Sequence, residues 1–139
     1  MGKIRTALVG CGGVVRRYRK AYARMPGVEV VAAIDQHLDE AEAAARETGA
    51  ERFSDRFEDA LEPGVDAVVI STPNSLHRDH AVAALRAGKH VLLQKPMARS
   101  VEECEEILEA QRGAGVLLGI YMNLLDHPLF RDIRRMVAE

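Results

Sequence analysis

The stretch Ile4-Arg5-Thr6-Ala7-Leu8-Val9-Gly10-Cys11-Gly12-Gly13-Val14-Val15 decides the fold. A short apolar run meets three glycines within four positions, and a helical pattern follows them. This order predicts a buried strand, a tight turn and a helix, the unit that binds nucleotide phosphates in many proteins. Gly10 permits the sharp turn, Gly12 lets the backbone approach a diphosphate, and the amides that open the helix carry partial positive charge.

The glycine loop has an alternative interpretation, because glycine-rich turns after strands also exist for geometry alone. The third position of the phosphate-binding fingerprint is usually Gly or Ala, and here it is Val15. We expect this β-branched side chain to push the first helix slightly outward. Under the phosphate-binding interpretation, the loop residues are Gly10, Cys11, Gly12, Gly13 and Val14.

Length and composition limit the classes of function that this chain can have. The chain has 139 residues, enough for one domain but short for an additional substrate domain. The net charge of −2, with interspersed signs, argues against a broad basic surface for nucleic acid or an anionic membrane. Its two cysteines form no CxxC pattern, which favours a reducing compartment, the cytoplasm, over a disulfide or metal framework. With no room for a signal peptide and no membrane-length apolar run, we expect a soluble protein without a metal site.

Strand and helix patterns alternate along the chain. Six short apolar segments, at residues 4–9, 28–34, 50–53, 65–70, 89–93 and 116–120, are separated by segments of helical spacing or turns. This alternation predicts an α/β fold, a doubly wound parallel sheet of the Rossmann type with strand order 3-2-1-4-5-6. We assign residues 1–120 to this domain and residues 121–139 to a tail.

Asp35 ends the second strand, 25 positions past Gly10, where about 20 are expected for an acid that binds an adenosine ribose. The alternative is that Asp35 caps the next helix. Gln36 and His37 follow, and neither is an Arg or Lys that pairs with an extra phosphate. The sequence therefore favours NAD over NADP. The basic residues of the first helix, predicted at 13–25, are interpreted as a solvated face, with contact of Arg16 or Arg17 to a phosphate as the alternative.

Polar residues follow the fourth and fifth strands. Because parallel strands end at the same edge of a sheet, these groups face the cleft that Gly10 begins. The candidates are Ser71, Thr72, Pro73, Asn74 and His77 after the fourth strand, and Gln94 and Lys95 after the fifth. Asn74 and His77 are equally suited to forming a turn and starting a helix. Lys95 precedes a proline, which holds it extended, and the alternative is an exposed loop lysine.

Together, Gly10-Cys11-Gly12-Gly13, Asp35, Thr72-Pro73-Asn74-Ser75-Leu76-His77 and Gln94-Lys95-Pro96 resemble the nucleotide-binding half of one enzyme family. It is the glucose-fructose oxidoreductase / inositol dehydrogenase / rhizopine catabolism (Gfo/Idh/MocA) family, and the resemblance covers about residues 4–128. It implies that the glycine loop holds the NAD(P) diphosphate, Asp35 the adenosine ribose, and residues 72–74 the nicotinamide end. It also implies that Lys95 is catalytic, assisting proton transfer as hydride passes between nicotinamide and a sugar or polyol carbon.

Three positions depart from the family pattern. Val15 is one, Gln94 replaces the usual Glu, and Leu124 stands where a basic residue is common. The family continues into a substrate domain whose Asp and His complete the catalytic site, and we expect this domain to be missing from the chain. The resemblance thus implies an oxidoreductase domain that binds NAD without efficient turnover. A non-catalytic nucleotide-binding or NAD-sensing module and a Rossmann-like scaffold with an unused pocket remain as alternatives.

The tail is rich in apolar side chains for its length. We expect them to bury surface either against the domain's own sheet or against the same tail of a second copy, and the sequence favours the homodimer. These apolar residues are Leu124, Leu125, Leu129, Phe130, Ile133, Met136 and Val137.

Overall fold

A computed structural model describes residues 2–122 and 128–138, excluding the side chains of residues 129 and 138. The predicted Leu124 and Leu125 lie outside the described residues, as does the Leu129 side chain. In the part of the chain that the structure describes, six strands form one sheet in the order β3-β2-β1-β4-β5-β6, and every neighbouring pair is parallel. The strands are β1 (Ile4–Val9), β2 (Val28–Ile34), β3 (Arg52–Ser54), β4 (Ala67–Ile70), β5 (His90–Gln94) and β6 (Leu118–Tyr121). The predicted fold class and strand order are confirmed.

Within the described residues, five α-helices connect or follow the strands. They are α1 (Gly13–Tyr22), α2 (Leu38–Thr48), α3 (His77–Arg86), α4 (Val101–Ala114) and α5 (Pro128–Ala138). Short 3-10 helices occupy Phe57–Leu61 and Asn74–Leu76. Helix α1 ends three residues before the predicted end at residue 25, and β6 runs one residue beyond the predicted boundary at residue 120.

Helices cover both faces of the sheet, as a doubly wound fold requires. On one face, Ala81, Leu85 and Ile107 of α3 and α4 pack into the cluster that contains Ile70 and Leu93. On the other face, side chains of α1, α2 and the glycine loop pack with those of β1, β2 and β4 in a second cluster: Leu8, Cys11, Val15, Val30, Ala33, Ala44, Ala45 and Val69. The loops at the strand ends are therefore mounted on two buried cores.

The pairing register of the strands places the carboxyl ends of β1, β2, β4 and β5 at the same level of the sheet. Val9, the last residue of β1, lies opposite Ile34 of β2 and Ile70 of β4. Ile70 in turn lies opposite Leu93 of β5. Because all these strands are parallel, the loops that follow them leave the sheet at one edge, and the groups singled out in the sequence meet there.

Val15 lies almost completely buried in the second cluster, beside Leu8 and Cys11. A valine at this fingerprint position is thus part of the contact between α1 and the sheet.

Helix α5 occupies the tail from Pro128 to Ala138. Four apolar residues of this helix are between 43% and 81% exposed: Phe130, Ile133, Met136 and Val137. These four residues leave an apolar face on the surface.

Among the described residues, no helix combines the length and the apolar character needed to cross a membrane.

Candidate functional site

A cleft of about 570 Å3 opens at the edge of the sheet where β1, β2, β4 and β5 end. Most of the residues singled out in the sequence line it. These are Gly10, Gly12, Gly13, Val14, Asp35, Ser71, Thr72, Pro73, Asn74, Gln94 and Lys95. Cys11 and His77 are fully buried and lie behind the cleft instead. The fold therefore brings distant segments of the chain into one cavity.

Gly10 forms the turn from β1 into the loop. Its φ of +84° lies in the left-handed region, and a Cβ there would stand 2.6 Å from the Ser71 carbonyl carbon. Its amide donates a hydrogen bond of 2.8 Å to the Ile34 carbonyl. Glycine is required here because the loop passes directly against the end of β4.

Gly12 and Gly13 have a different environment. A Cβ at either position would meet no atom within 4 Å, and both residues line the cleft. Gly12 has an ordinary φ of −77° and precedes α1 without a side-chain cap. The absence of a side chain therefore leaves the opening of α1 accessible to a ligand, and helix-opening amides favour anions.

Asp35 connects the end of β2 to the glycine loop. Its Oδ2 accepts hydrogen bonds from the Cys11 amide at 2.7 Å and the Gly12 amide at 3.3 Å. Its Oδ1 accepts from the His37 amide at 3.0 Å. Helix α2 begins at Leu38 and has no side-chain cap from the residue before it, so Asp35 is not the N-cap that the alternative interpretation requires. The carboxylate is instead fixed at the wall of the cleft.

Cys11 contributes its backbone to the loop and its side chain to the core. Burial first, and then the charge of Asp35, raises the pKa of its thiol to about 12. The thiol is therefore neutral at physiological pH and unsuited to nucleophilic chemistry.

Interpreting the basic residues of α1 as a solvated face is wrong for Arg19. Only 2% of Arg19 is exposed, and its guanidinium lies beneath the glycine loop, bonded to the Cys11 carbonyl. Arg16 is exposed and forms an ion pair with Glu40 of α2. Sequence periodicity offered no signal for Arg19, because its main partner is a backbone carbonyl.

His77 supports the site from behind. Its Nε2 lies 2.9 Å from the Thr72 carbonyl, and its Nδ1 lies 2.8 Å from the Pro96 carbonyl. The ring therefore ties the loop after β4 to the loop after β5, and it does so without reaching the cleft.

His80 and Phe57 line the cleft without having been singled out in the sequence. Their rings are stacked, with centroids 4.1 Å apart and planes at 9°. His80 Nδ1 lies 3.3 Å from Thr72 Oγ1, and burial lowers the pKa of His80. The only available signal was that His80 follows His77 by about one helical turn. The pair supplies a flat, uncharged wall.

Gln94 and Lys95 complete the opposite side. The Gln94 Oε1 accepts a hydrogen bond of 3.0 Å from the Lys95 amide, so this side chain helps to fix the backbone of the loop. Lys95 is exposed and lines the cleft, which leaves an ammonium beside the cavity. Within the described part of the chain, no group of three or more His, Cys, Asp or Glu residues is placed to hold a metal ion.

The cleft thus combines an open glycine loop at the start of α1, a fixed carboxylate, a flat uncharged wall and an ammonium. These groups suit a ligand with phosphates, hydroxyls and aromatic rings. A sequence profile of the Gfo/Idh/MocA family, described as an oxidoreductase family with an NAD-binding Rossmann fold, matches residues 4–122. The chain belongs to this family.

Named relatives agree with this assignment. The chain is 38% identical over 136 residues to a 1,5-anhydro-D-fructose reductase of Ensifer adhaerens, covering 97% of this chain and 41% of that protein. It is 34% identical over 133 residues to a scyllo-inositol 2-dehydrogenase (NADP(+)) of Bacillus subtilis, covering 95% of this chain and 40% of that protein. The chain thus spans about two-fifths of the length of these relatives.

A solved structure shows the same fold. The WlbA dehydrogenase from Bordetella pertussis, in complex with NADH and UDP-GlcNAcA, matches with a TM-score of 0.88 and 32% identity. The match covers 98% of this chain and 42% of that one.

Proposed function

We propose that this domain binds NAD(H) in the cleft and serves hydride transfer to or from a sugar or polyol. The observation that carries the proposal is the convergence in one cleft of the open glycine loop, at Gly12 and Gly13, with the Asp35 carboxylate. The start of α1 suits a diphosphate, and the carboxylate suits the hydroxyls of the adenosine ribose. The relatives named above act on a sugar or an inositol, whereas the scaffold and sensing alternatives find no support among them.

The preference for NAD over NADP rests on charge. Asp35 is an acid at the cleft wall, and Gln36 and His37, which also line the cleft, supply no permanent cation. Arg16, the nearby candidate for a phosphate contact, is already paired with Glu40. A phosphate on the adenosine ribose would face the Asp35 carboxylate without a cation to offset it.

The nicotinamide ring, when bound, supplies the hydride-transfer chemistry. On the side of the protein, Lys95 is proposed as the catalytic residue, holding or delivering a proton at the substrate hydroxyl from its place beside the cleft. Thr72, Pro73 and Asn74 are proposed to contact the nicotinamide end. We expect negligible turnover by the 139-residue chain alone, because efficient catalysis in the family also uses an Asp and a His of the substrate domain.

Two further proposals concern the setting of the protein. Its cysteines are both free thiols, which supports a reducing compartment, the cytoplasm. The exposed apolar face of α5 supports a homodimer in which two copies bury this face against each other.

Calorimetric titration with NADH and NADPH tests the cofactor proposal. NADH is expected to bind more tightly than NADPH. Replacing Asp35 by Ala is expected to weaken NADH binding by about tenfold and NADPH binding by less, because the ribose loses a charged acceptor while repulsion of the extra phosphate disappears. Asp39→Ala, which removes the same charge from an exposed position on α2, serves as the control. Equal losses for both cofactors would leave Asp35 with a structural role only.

A further inference from the structure

Arg19 is the largest fully buried side chain among the described residues. Its Nε and Nη2 both donate to the Cys11 carbonyl, at 3.2 and 2.6 Å. Burying a guanidinium is strongly unfavourable unless its N–H groups are hydrogen-bonded. The two bonds to the Cys11 carbonyl therefore indicate that Arg19 has a defined role in holding the glycine loop.

Two acids of α2 complete the shell around the guanidinium. Glu40 Oε2 lies 2.6 Å from Nη2, and Glu47 Oε1 lies 3.2 Å from Nη1. Glu40 also pairs with Arg16 on its outer side. Arg19 therefore connects three parts of the fold, namely α1, α2 and the glycine loop.

The position of the Cys11 carbonyl determines where the next amide points. Among the described residues the only cis peptide is Lys95-Pro96, so the peptide from Cys11 to Gly12 is trans. In a trans peptide the C=O and N–H bonds point in opposite directions. Holding the carbonyl inward against Arg19 consequently directs the Gly12 N–H outward, where it donates to Asp35 Oδ2 at the cleft wall.

We propose that Arg19 is a positioning residue for the diphosphate of the dinucleotide: it fixes the orientation of the Cys11-Gly12 peptide and thereby the course of the glycine loop into the start of α1, where the cleft is open. This inference rests on the proposed function. Arg19 does not touch the ligand, and its effect is transmitted through the loop backbone.

The charge balance around Arg19 distinguishes positioning of the loop from simple attraction of the phosphates. Arg16, Arg19, Glu40 and Glu47 carry two positive and two negative charges, so the network as a whole is neutral. If Arg19 acted by attracting phosphate, removing the charge of Glu47 would strengthen binding. If Arg19 acts by orientation, removing that charge leaves affinity unchanged, because Glu47 makes no hydrogen bond to the loop among the contacts described.

The experiment compares NADH with adenosine, which has the ribose but no phosphate, by calorimetry or ligand-observed NMR on the full chain. The variants are Arg19→Met, Arg19→Lys and Glu47→Gln, each checked for folding by circular dichroism and thermal unfolding. Arg19→Met is expected to weaken NADH binding by at least about tenfold and to change adenosine binding by less than about twofold. Asp35 should still hold the ribose, because it retains its contacts with Cys11 and His37.

Arg19→Lys is expected to give an intermediate loss for NADH, since an ammonium can bond the carbonyl without the fork geometry of a guanidinium. Glu47→Gln is expected to bind both ligands like the unchanged chain. If Arg19→Met does not fold, the Lys variant decides by the same split between the two ligands. An equal loss for NADH and adenosine, or no loss in a folded Arg19 variant, overturns the inference. Failure of the unchanged chain to bind NADH overturns the proposed function itself, and the inference with it.

Discussion

Replacing Gly10 by Ala tests whether the approach of the glycine loop to β4 is as close as the structure indicates. Two costs are expected at this residue. The φ of +84° is unfavourable for any residue with a Cβ, and the added Cβ would stand 2.6 to 2.7 Å from three backbone atoms of Ser71 and Thr72. Backbone atoms cannot move aside as a flexible side chain can, so part of the loop or of β4 must shift.

Two other glycines separate these costs. Gly49, after α2, has a φ of +79° with nothing within 4 Å of its Cβ position, so Gly49→Ala incurs only the conformational cost, about 1–2 kcal/mol. Gly10→Ala incurs the same cost plus about 1–3 kcal/mol for overpacking, about 2–5 kcal/mol in all. Gly12 has an ordinary φ and open surroundings, so Gly12→Ala should change the free energy of unfolding by less than about 1 kcal/mol.

Urea unfolding followed by circular dichroism measures these differences, and they are resolvable against a typical total stability of about 5–15 kcal/mol. NADH binding should rank Gly12→Ala and Gly49→Ala in the opposite order to their stabilities. Gly12→Ala places a methyl group in the cleft and should weaken binding, while Gly49→Ala should leave it unchanged. A Gly10→Ala variant no less stable than Gly49→Ala would refute the close contact, and with it the argument that Gly10 shapes the cleft.

Two further predictions concern the thiols and the tail. In native protein at about pH 8, an alkylating reagent should modify Cys104, which is half-buried, while Cys11 reacts only on unfolding. Because the pKa of Cys11 rises from 9.0 in a free thiol to about 12 on folding, its contribution to stability is complete below pH 9 and is lost as pH rises towards 12. Labelling of Cys11 in a Cys104→Ser variant at the rate of an exposed thiol would contradict this. For the tail, sedimentation at micromolar concentration should give about twice the chain mass of 15.3 kDa, and the double variant Ile133→Asp with Met136→Asp should give a monomer. A monomer at every concentration of the unchanged chain would rule out the homodimer.

The strands of the sheet could be predicted because each one is specified by a short stretch of neighbouring residues. Each of the apolar runs at residues 4–9, 28–34 and 65–70 is bounded by glycine, proline or polar residues, and the topology rules for parallel sheets then restrict the strand order. Boundaries were less accurate. The predicted fourth strand began at residue 65, but pairing with β1 and β5 begins near Ala67. Hydrophobicity identifies buried residues, whereas strand limits depend on where a neighbour provides hydrogen bonds.

Arg19 and Lys89 show what the sequence pattern could not reveal. Both are long basic residues, and both are buried, because backbone carbonyls from distant parts of the chain lie within reach. Arg19 bonds the Cys11 carbonyl, and the Lys89 ammonium bonds the carbonyls of Glu62 and Val65 at 3.0 and 2.8 Å. Periodicity describes which face of an element is apolar, and it contains no information on where a distant turn presents a backbone carbonyl.

Because the site depends on backbone contacts as well as on sequence pattern, departures from the family pattern need not remove it. The glycine loop lines the cleft with residues that mostly lack side chains, and Gly10, Arg19 and His77 hold this loop and the loops after β4 and β5 through conformation or through backbone carbonyls behind the cleft. Val15 lies in the core beneath this arrangement, and the Gln94 side chain bonds the Lys95 amide within it, so both substitutions are compatible with the loops as they stand. Changes at cleft-lining side chains such as Asp35 should therefore alter which ligand is preferred. Changes at the supporting residues should alter whether a dinucleotide is bound at all.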